Sequence, residues 1–202
     1  MLEVEGFILA GGASRRMGRD KARLRLGGET FVARAARALA ALTPCVRLVS
    51  ARPDAAEFGL PVVADVYRDC GALGGLHAAL AACRAPWAAV VSCDLPFVTG
   101  AYWLRLAVFA EADAPDADAP DAVVPFQPDG RAQPLCALYA RAACLPAVER
   151  MLRAGELRPR RLLEQVRARR VAPAELRALP EAARLFTNVN TPEEYEAATN
   201  EG

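Results

Sequence analysis

The sequence predicts an α/β fold, a Rossmann-like three-layer domain with helices on both faces of a mostly parallel sheet. Short apolar runs alternate along the chain with helical stretches, which is the pattern of α/β proteins. Residues 87–93 form an apolar run typical of a central parallel strand that is buried on both faces. With 53% hydrophobic residues and no visible boundary, we expect residues 1–202 to form one domain with a sizeable core.

Each element has a local signal in the sequence. Residues 4–10 are apolar except for Glu5 and Gly6, and they predict a buried strand at the start of the domain. Thr30 predicts the N-cap of a first helix that reaches Leu42, and Thr191 predicts the cap of the last helix. The other strands are expected at residues 46–50, 62–64, 87–93 and 122–126 and in a segment that reaches Tyr139. The other helices are expected at residues 76–83, 142–153 and 159–167, the first of them after a glycine-rich turn at residues 70–75.

Charge and composition exclude several classes of protein. The net charge is +1, from 25 basic and 24 acidic residues, so the chain has no overall field to attract nucleic acid. No apolar run approaches the ~20 residues that a membrane helix needs, and the N-terminus lacks the features of a signal peptide. The six cysteines are widely spaced without a Cys-x-x-Cys pair, as expected of reduced thiols. We therefore expect a cytoplasmic protein that binds neither nucleic acid nor a membrane.

The loop after the first strand is the best candidate for a phosphate site. The strand runs into Gly11 and Gly12, which allow close approach of a ligand, and then into Arg15, Arg16 and Lys21. Arginines make multidentate phosphate contacts and lysine supplies a mobile point charge. The loop matches neither the Gly-x-Gly-x-x-Gly pattern of dinucleotide sites nor the Gly-Lys-Ser/Thr ending of a P-loop. The alternative, a basic surface loop, ranks second because the cations follow a buried strand.

Two aspartates follow predicted strands and are candidates for the acidic side of the same site. Asp94 comes directly after the apolar run at residues 87–93, where an unpaired carboxylate is costly to desolvate. Magnesium that bridges phosphate oxygens would pair with it, whereas a structural role would be to cap a helix near Thr99. Asp65 could bind a base or ribose, or could simply close a turn. Parallel strands end at one sheet edge, so a shared site with the cationic loop favours metal binding for Asp94.

Two charged segments are interpreted as solvated surface. Residues 113–122 contain Asp-Ala-Pro-Asp-Ala twice and predict an exposed loop. A basic tract follows later, for which a solvated helix face is favoured over a partner surface. Its members are Arg158, Arg160, Arg161, Arg167, Arg169 and Arg170.

Together these motifs resemble the signature of molybdenum cofactor guanylyltransferases. The resemblance rests on Leu-Ala-Gly-Gly at residues 9–12, Arg-Arg-Met-Gly at 15–18 and Asp-Lys at 20–21. It continues over nearly the whole chain, at Asp65 and at residues 71–75, 93–96, 133–135 and 186–193. The Gly-Gly and Asp-Lys pairs and the Asn-x-Asn-Thr-Pro-Glu ending are those of the guanylyl branch rather than of related cytidylyltransferases.

The resemblance implies a Rossmann-like nucleotidyltransferase that transfers GMP from GTP to the phosphate of molybdenum-molybdopterin and releases pyrophosphate. It implies Mg²⁺ as the cofactor, and GTP, molybdenum-molybdopterin, molybdoenzyme clients or other cofactor-biosynthesis proteins as partners. Lys21 would contact the GTP phosphates, Asp65 would bind the nucleotide, and Asp94 would bind both GTP and magnesium. Arg15 and Arg16 would lie near the phosphates. The residues that would line the GTP site are Leu9, Ala10, Gly11 and Gly12.

Two positions depart from the family pattern, and three other functions remain as alternatives. Ser50 stands where the family often has asparagine. Residues 71–73 read Gly-Ala-Leu where Gly-Pro-Leu is usual, so Ala72 replaces the proline. The rivals are transfer of CMP, transfer to a sugar phosphate, and a non-catalytic GTP-binding carrier of the cofactor. Lys21 and both aspartates argue against a pure carrier, which would not need the full set of charge-neutralising groups.

Overall fold

The computed structural model of the protein describes residues 2–11, 21–67, 69–112 and 119–200. The strands in these ranges are β1 Val4–Leu9, β2 Arg25–Leu26, β3 Glu29–Thr30, β4 Val46–Val49, β5 Val62–Val63, β6 Trp87–Ser92, β7 Ala122–Pro125, β8 Cys136–Ala140 and β9 Ala168–Val171. The helices are α1 Phe31–Ala40, α2 Gly71–Ala82, α3 Gly100–Ala112, α4 Arg141–Arg153, α5 Pro173–Leu176 and α6 Pro192–Asn200. No helix in these ranges is long and apolar enough to cross a membrane.

A seven-stranded sheet forms the centre of the fold, in the order β5-β4-β1-β6-β8-β7-β9. All neighbours are parallel except β8, which runs antiparallel to both β6 and β7. Leu9 lies opposite Val49 on one side and Ser92 on the other, so β1, β4 and β6 end at the same edge of the sheet. The predicted mostly parallel α/β sheet is confirmed.

Helices cover both faces of the sheet, which gives the three predicted layers. Successive side chains of a strand point to opposite faces, and every residue of β1 is buried. Phe7 and Leu9 pack in the cluster that includes α2 and α4, whereas Ile8 packs in the cluster that includes α1 and α3. The predicted caps are also present, since the Ala33 and Glu194 amides donate to the hydroxyls of Thr30 and Thr191 respectively.

The glycine-rich segment at residues 70–75 forms the first turns of a helix, so its prediction as a turn is wrong. Helix α2 begins at Gly71 instead of residue 76. A Cβ on Gly74 would lie 2.7 Å from the Tyr67 carbonyl oxygen, and one on Gly75 would lie 3.5 Å from Leu9. Glycine disfavours an isolated helix by about 1 kcal/mol. Here close packing against β1 and the Asp65–Tyr67 loop outweighs that preference.

The helix predicted at residues 159–167 is also wrong. Pro159–Glu164 is a 3₁₀ turn, and Arg169 and Arg170 belong to strand β9, which pairs with β7. The guanidinium groups of Arg169 and Arg170 lie 4.7 and 4.8 Å from the ring centres of Phe109 and Phe126. These long side chains cover apolar surface while they keep their charge near solvent. The other surface segment, residues 113–122, is described only from residue 119 onwards.

Candidate active site

The loops that follow the central strands stay in register beyond the strand ends. The amide of Cys93 donates to the Leu9 carbonyl (3.1 Å), and the amide of Ala10 donates to the Val49 carbonyl (3.0 Å). The amide of Ser50 donates in turn to the Val63 carbonyl (3.0 Å). These bonds fix the chain just past β1, β4, β5 and β6 at one edge of the sheet, which is where open α/β sheets bind ligands.

A cleft of about 630 Å³ lies at this edge, and we call it the strand-end cleft. It brings together four of the residues singled out from the sequence, and Gly71, Ala72 and Gly75 of α2 form its wall. A Cβ built on Gly11 would meet no atom of the described residues within 4 Å, so none of them blocks the approach of a ligand to the backbone there. Gly12, Arg15 and Arg16 lie outside the described residues. The four predicted residues that line the cleft are Leu9, Gly11, Asp65 and Asp94.

Ser50 lines the strand-end cleft, and Ala10 lies next to it without lining the cleft. Ala10 is buried, and its carbonyl accepts a hydrogen bond from the Ser50 hydroxyl (3.4 Å). The same hydroxyl accepts from the Arg52 amide (3.3 Å). Ser50 therefore joins the loops after β1 and β4, a structural role that its small side chain fills where the resemblance leads us to expect asparagine.

Asp94 presents a carboxylate to the cleft that nothing in the described part of the chain neutralises. Its side chain is half-buried and makes no hydrogen bond or ion pair with residues of the described ranges. Its backbone carbonyl accepts a hydrogen bond from the Val189 amide (3.1 Å). Burial, with a smaller contribution from the Asp94 charge, raises the pKa of the Cys136 thiol to about 12. Within the described ranges, no side chain competes with a cation for the Asp94 carboxylate.

Asp65 is held by the loop that follows β5 and by α2. Its Oδ1 accepts a hydrogen bond from the Tyr67 amide (3.1 Å), and a Cβ on Gly74 would approach this oxygen to 3.2 Å. Burial raises the pKa of the Asp65 carboxyl, and the hydrogen bond from Tyr67 opposes that shift. A carboxylate that is partly desolvated and accepts only one hydrogen bond from the described residues can accept further hydrogen bonds from a ligand.

Replacing Asp65 by asparagine should raise the midpoint of thermal unfolding at pH 7.5. The pKa of Asp65 is higher in the folded protein than in the unfolded chain, so the folded state binds the proton more tightly. This residue's contribution to stability is therefore most favourable below about pH 4 and is lost as the pH rises through the folded pKa. The substituted amide would keep the oxygen that accepts from Tyr67 and would remove the charge. A calorimetric series from pH 4 to 8 tests this, and a lower midpoint at pH 7.5 would contradict it.

Lys21 is joined to the C-terminal segment of the chain. Its Nζ donates a hydrogen bond to Oδ1 of Asn190 (2.5 Å), and the neighbouring Val189 amide is the donor to Asp94. The segment 189–190 therefore connects the Lys21 ammonium group to the backbone of Asp94, two residues that the sequence placed at one site. Sequence reasoning gave Asn190 no role, because a contact across 169 positions leaves no local signal.

A second cavity of about 470 Å³ adjoins the strand-end cleft, and we call it the side cavity. Ala72, Ser92, Asp94 and Leu135 line both spaces, so Asp94 lies where they meet. The sequence did not predict this cavity. Its other walls come from the segments 132–134 and 157–160 and from Asn188.

Comparison with known proteins gives a consistent result. Residues 6–171 match the family model described as the MobA-like NTP transferase domain. A protein of Pelotomaculum thermopropionicum named "Probable molybdenum cofactor guanylyltransferase" is 35% identical over 95% of this chain and 90% of its own length.

Solved structures match the fold. That of molybdopterin-guanine dinucleotide biosynthesis protein A from Archaeoglobus fulgidus has a TM-score of 0.78 and 24% identity, with 98% of this chain and 97% of that chain covered. That of 2-C-methyl-D-erythritol 4-phosphate cytidylyltransferase from Thermus thermophilus has a TM-score of 0.67 and 20% identity, with 99% and 98% covered. Enzymes named for different nucleotides thus share this architecture.

Proposed function

Because this chain belongs to the molybdenum cofactor guanylyltransferase family, whose members carry the MobA-like NTP transferase domain, we propose that it transfers GMP from GTP to the phosphate of molybdenum-molybdopterin. The products are pyrophosphate and molybdopterin guanine dinucleotide. The observation that carries the proposal is the position of Asp94, at the junction of the strand-end cleft and the side cavity. A transfer between two substrates needs two adjoining spaces that meet at the reacting phosphorus.

The proposed reaction is an in-line displacement at the α-phosphorus of GTP. An oxygen of the acceptor phosphate forms a bond to that phosphorus, and the bond to the bridging oxygen of the β-phosphate breaks with its electron pair. The acceptor phosphate is largely ionised at neutral pH, so no side chain has to remove a proton from it. The protein contributes position and charge neutralisation, which are the main sources of rate in phosphoryl-type transfers.

Lys21 is assigned to the triphosphate, where its ammonium group offsets the charge that builds up on departing pyrophosphate. Its bond to Asn190 supports this role, because it orients the ammonium group near the loop of Asp94. Asp65 is assigned to the nucleotide as a hydrogen-bond acceptor in the strand-end cleft. Gly12, Arg15 and Arg16 keep their proposed places beside the phosphates on the strength of the family resemblance.

Asp94 fits a role as the protein ligand of one magnesium ion. Its carboxylate has no hydrogen bond or ion pair in the described ranges, and these ranges contain no group of three side chains that could enclose a metal on their own. Magnesium at nucleotide sites is held by one or two carboxylates together with substrate phosphates and water, which matches this donor set. When bound, the ion would supply positive charge to the phosphate oxygens.

A nucleotide panel tests the proposal. Purified protein, Mg²⁺ and molybdenum-molybdopterin are combined with GTP, CTP, ATP or UTP, and pyrophosphate release is followed. We expect release with GTP that depends on both the metal and the pterin. Release with CTP instead would establish the cytidylyl alternative, and release with a sugar phosphate in place of the pterin would establish another acceptor. GTP binding without any turnover would identify a carrier.

A further inference from the structure

A further cavity, of about 740 Å³, lies between α1 and the start of α3, and we call it the arginine cavity. Its other walls come from the turn between β2 and β3, from residues 181–184 and from the end of α6. None of its described lining residues also lines the strand-end cleft or the side cavity. It is therefore a separate space, to which the proposed transfer assigns neither GTP nor the acceptor.

Three arginines line this cavity together with a single carboxylate. Arg34 and Arg37 come from α1, Arg184 comes from the segment 181–184, and Glu181 is the one acidic residue among the described lining residues. The guanidinium of Arg184 lies 3.8 Å from the centre of the Phe97 ring and 4.0 Å from the Glu181 carboxylate. The wall of the cavity thus carries more positive than negative charge.

The charge of Arg34 is only partly neutralised, although 22% of its side chain is exposed. Its carboxylate neighbour in the described ranges, Glu29, lies 3.9 Å away and binds Arg37 more closely (3.0 Å). Nε of Arg34 donates to the Pro96 carbonyl (2.9 Å) and Nη1 donates to the Leu26 carbonyl (3.4 Å), whereas Nη2 has no acceptor in these ranges. Burial, followed by the charge of Arg37, lowers the pKa of the Arg34 guanidinium. An anion beside this group would stabilise its charged form.

We infer that the arginine cavity is a second anion site, which binds a small organic phosphate through Arg34, Arg37 and Arg184. The planar fork of an arginine matches the oxygens of a phosphate group. A phosphate monoester carries close to two negative charges at neutral pH, which suits a wall where three arginines accompany one glutamate. The cavity is large enough for a small organic molecule, and Leu26 and Val98 supply apolar wall for its organic part. This site takes no part in the proposed transfer, so the inference does not depend on that function.

The test is calorimetric titration with phenyl phosphate, in the absence of nucleotide and metal, with phenol as the uncharged comparison. We expect the protein to bind phenyl phosphate but not phenol, and we expect the Kd to rise with salt because the attraction is electrostatic. Arg37→Gln should raise the Kd about tenfold, since it removes a charge-assisted hydrogen bond and leaves Glu29 to neutralise Arg34. Glu181→Gln should lower the Kd about threefold to fivefold, because a repelling charge leaves the cavity wall. A folding defect would not produce this gain in affinity.

Two matched controls change the same charges elsewhere on the surface. Arg153→Gln removes an exposed arginine that pairs with Glu149 (2.9 Å), and Glu164→Gln removes an exposed glutamate that pairs with Arg161 (2.6 Å). Neither Arg153 nor Glu164 lines the arginine cavity, so both variants should bind phenyl phosphate with the affinity of the parent. Lys21→Ala should also leave this affinity unchanged, because Lys21 does not line the arginine cavity.

Several results would overturn the inference. They are binding of phenol as tight as that of phenyl phosphate, no binding of phenyl phosphate by the parent, and equal losses for Arg37→Gln and Arg153→Gln. An unchanged or higher Kd for Glu181→Gln would also overturn it. A loss of affinity in Lys21→Ala without one in Arg37→Gln would place the bound phosphate in the strand-end cleft and would refute a second site.

Discussion

Replacing Asp94 by alanine or asparagine is expected to lower kcat for pyrophosphate release by at least about a thousandfold while the protein stays folded. The carboxylate lies at the junction of the two cavities and has no partner in the described part of the chain, so few native contacts depend on it. The hydrogen bond from Val189 uses the backbone carbonyl of Asp94 and survives both changes. The loss therefore falls on the chemistry of the site and not on stability.

The asparagine variant separates a metal role from a general electrostatic one. The substituted amide would keep the shape of the side chain and remove the charge that attracts Mg²⁺ from solution. We expect GTP binding without metal to be equal or tighter, because a negative charge next to the triphosphate is gone, and we expect the enhancement of GTP affinity by Mg²⁺ to disappear. Glu164→Gln, a charge removal at an exposed ion pair, is the control and should retain full activity. An Asp94→Asn protein with Mg²⁺-dependent turnover would refute the assignment.

The residues at the sheet edge were predictable because they depend on a local pattern. An apolar run that ends in glycine or aspartate marks the carboxyl end of a strand, and parallel strands end at one edge. Gly11, Asp65 and Asp94 each carry that pattern, and all three line the strand-end cleft. The sequence is sufficient here because a parallel sheet places the ends of strands next to each other even when the strands are distant in the sequence.

Strand β9 and helix α2 were mispredicted because tertiary packing outweighs their local preferences. The segment with Arg169 and Arg170 does not have the sequence pattern of a strand. Charged residues at consecutive positions interrupt the alternation of apolar and polar residues by which a strand is identified. The guanidinium groups of these arginines lie over the rings of Phe109 and Phe126, which are distant in the sequence. Likewise, Gly74 lies inside a helix at a position where a Cβ would come within 2.7 Å of the Tyr67 carbonyl oxygen, a packing constraint that helix propensities do not include.

The side cavity was not predictable for a related reason. Its walls come from five separate segments, which contribute Ala72, Ser92, Leu135, Leu157 and Asn188 among others. None of these residues has a type or spacing that indicates a ligand site by itself.

Removing the Lys21 ammonium group should lower kcat/KM for GTP about a hundredfold to a thousandfold, the usual effect of losing one charge-stabilising donor from a transition state. Asn190→Ala should cost less, about tenfold, because Lys21 keeps its charge and loses only the Oδ1 acceptor that orients it. The double variant should then be no worse than Lys21→Ala alone, since Asn190 acts through Lys21 and two residues of one contact do not contribute additively.

The double-mutant cycle tests whether Asn190 is a positioning residue or only a structural one. A structural defect would lower the unfolding midpoint of Asn190→Ala and would add to the effect of Lys21→Ala, whereas a positioning defect leaves the midpoint near that of the parent. Thr199→Ala, on the exposed side of α6, is the control and should alter neither activity nor the cycle. An additive cycle would refute the positioning role. A non-additive one would show that the Asn-x-Asn-Thr-Pro ending acts on catalysis by fixing a cation that lies 169 positions away.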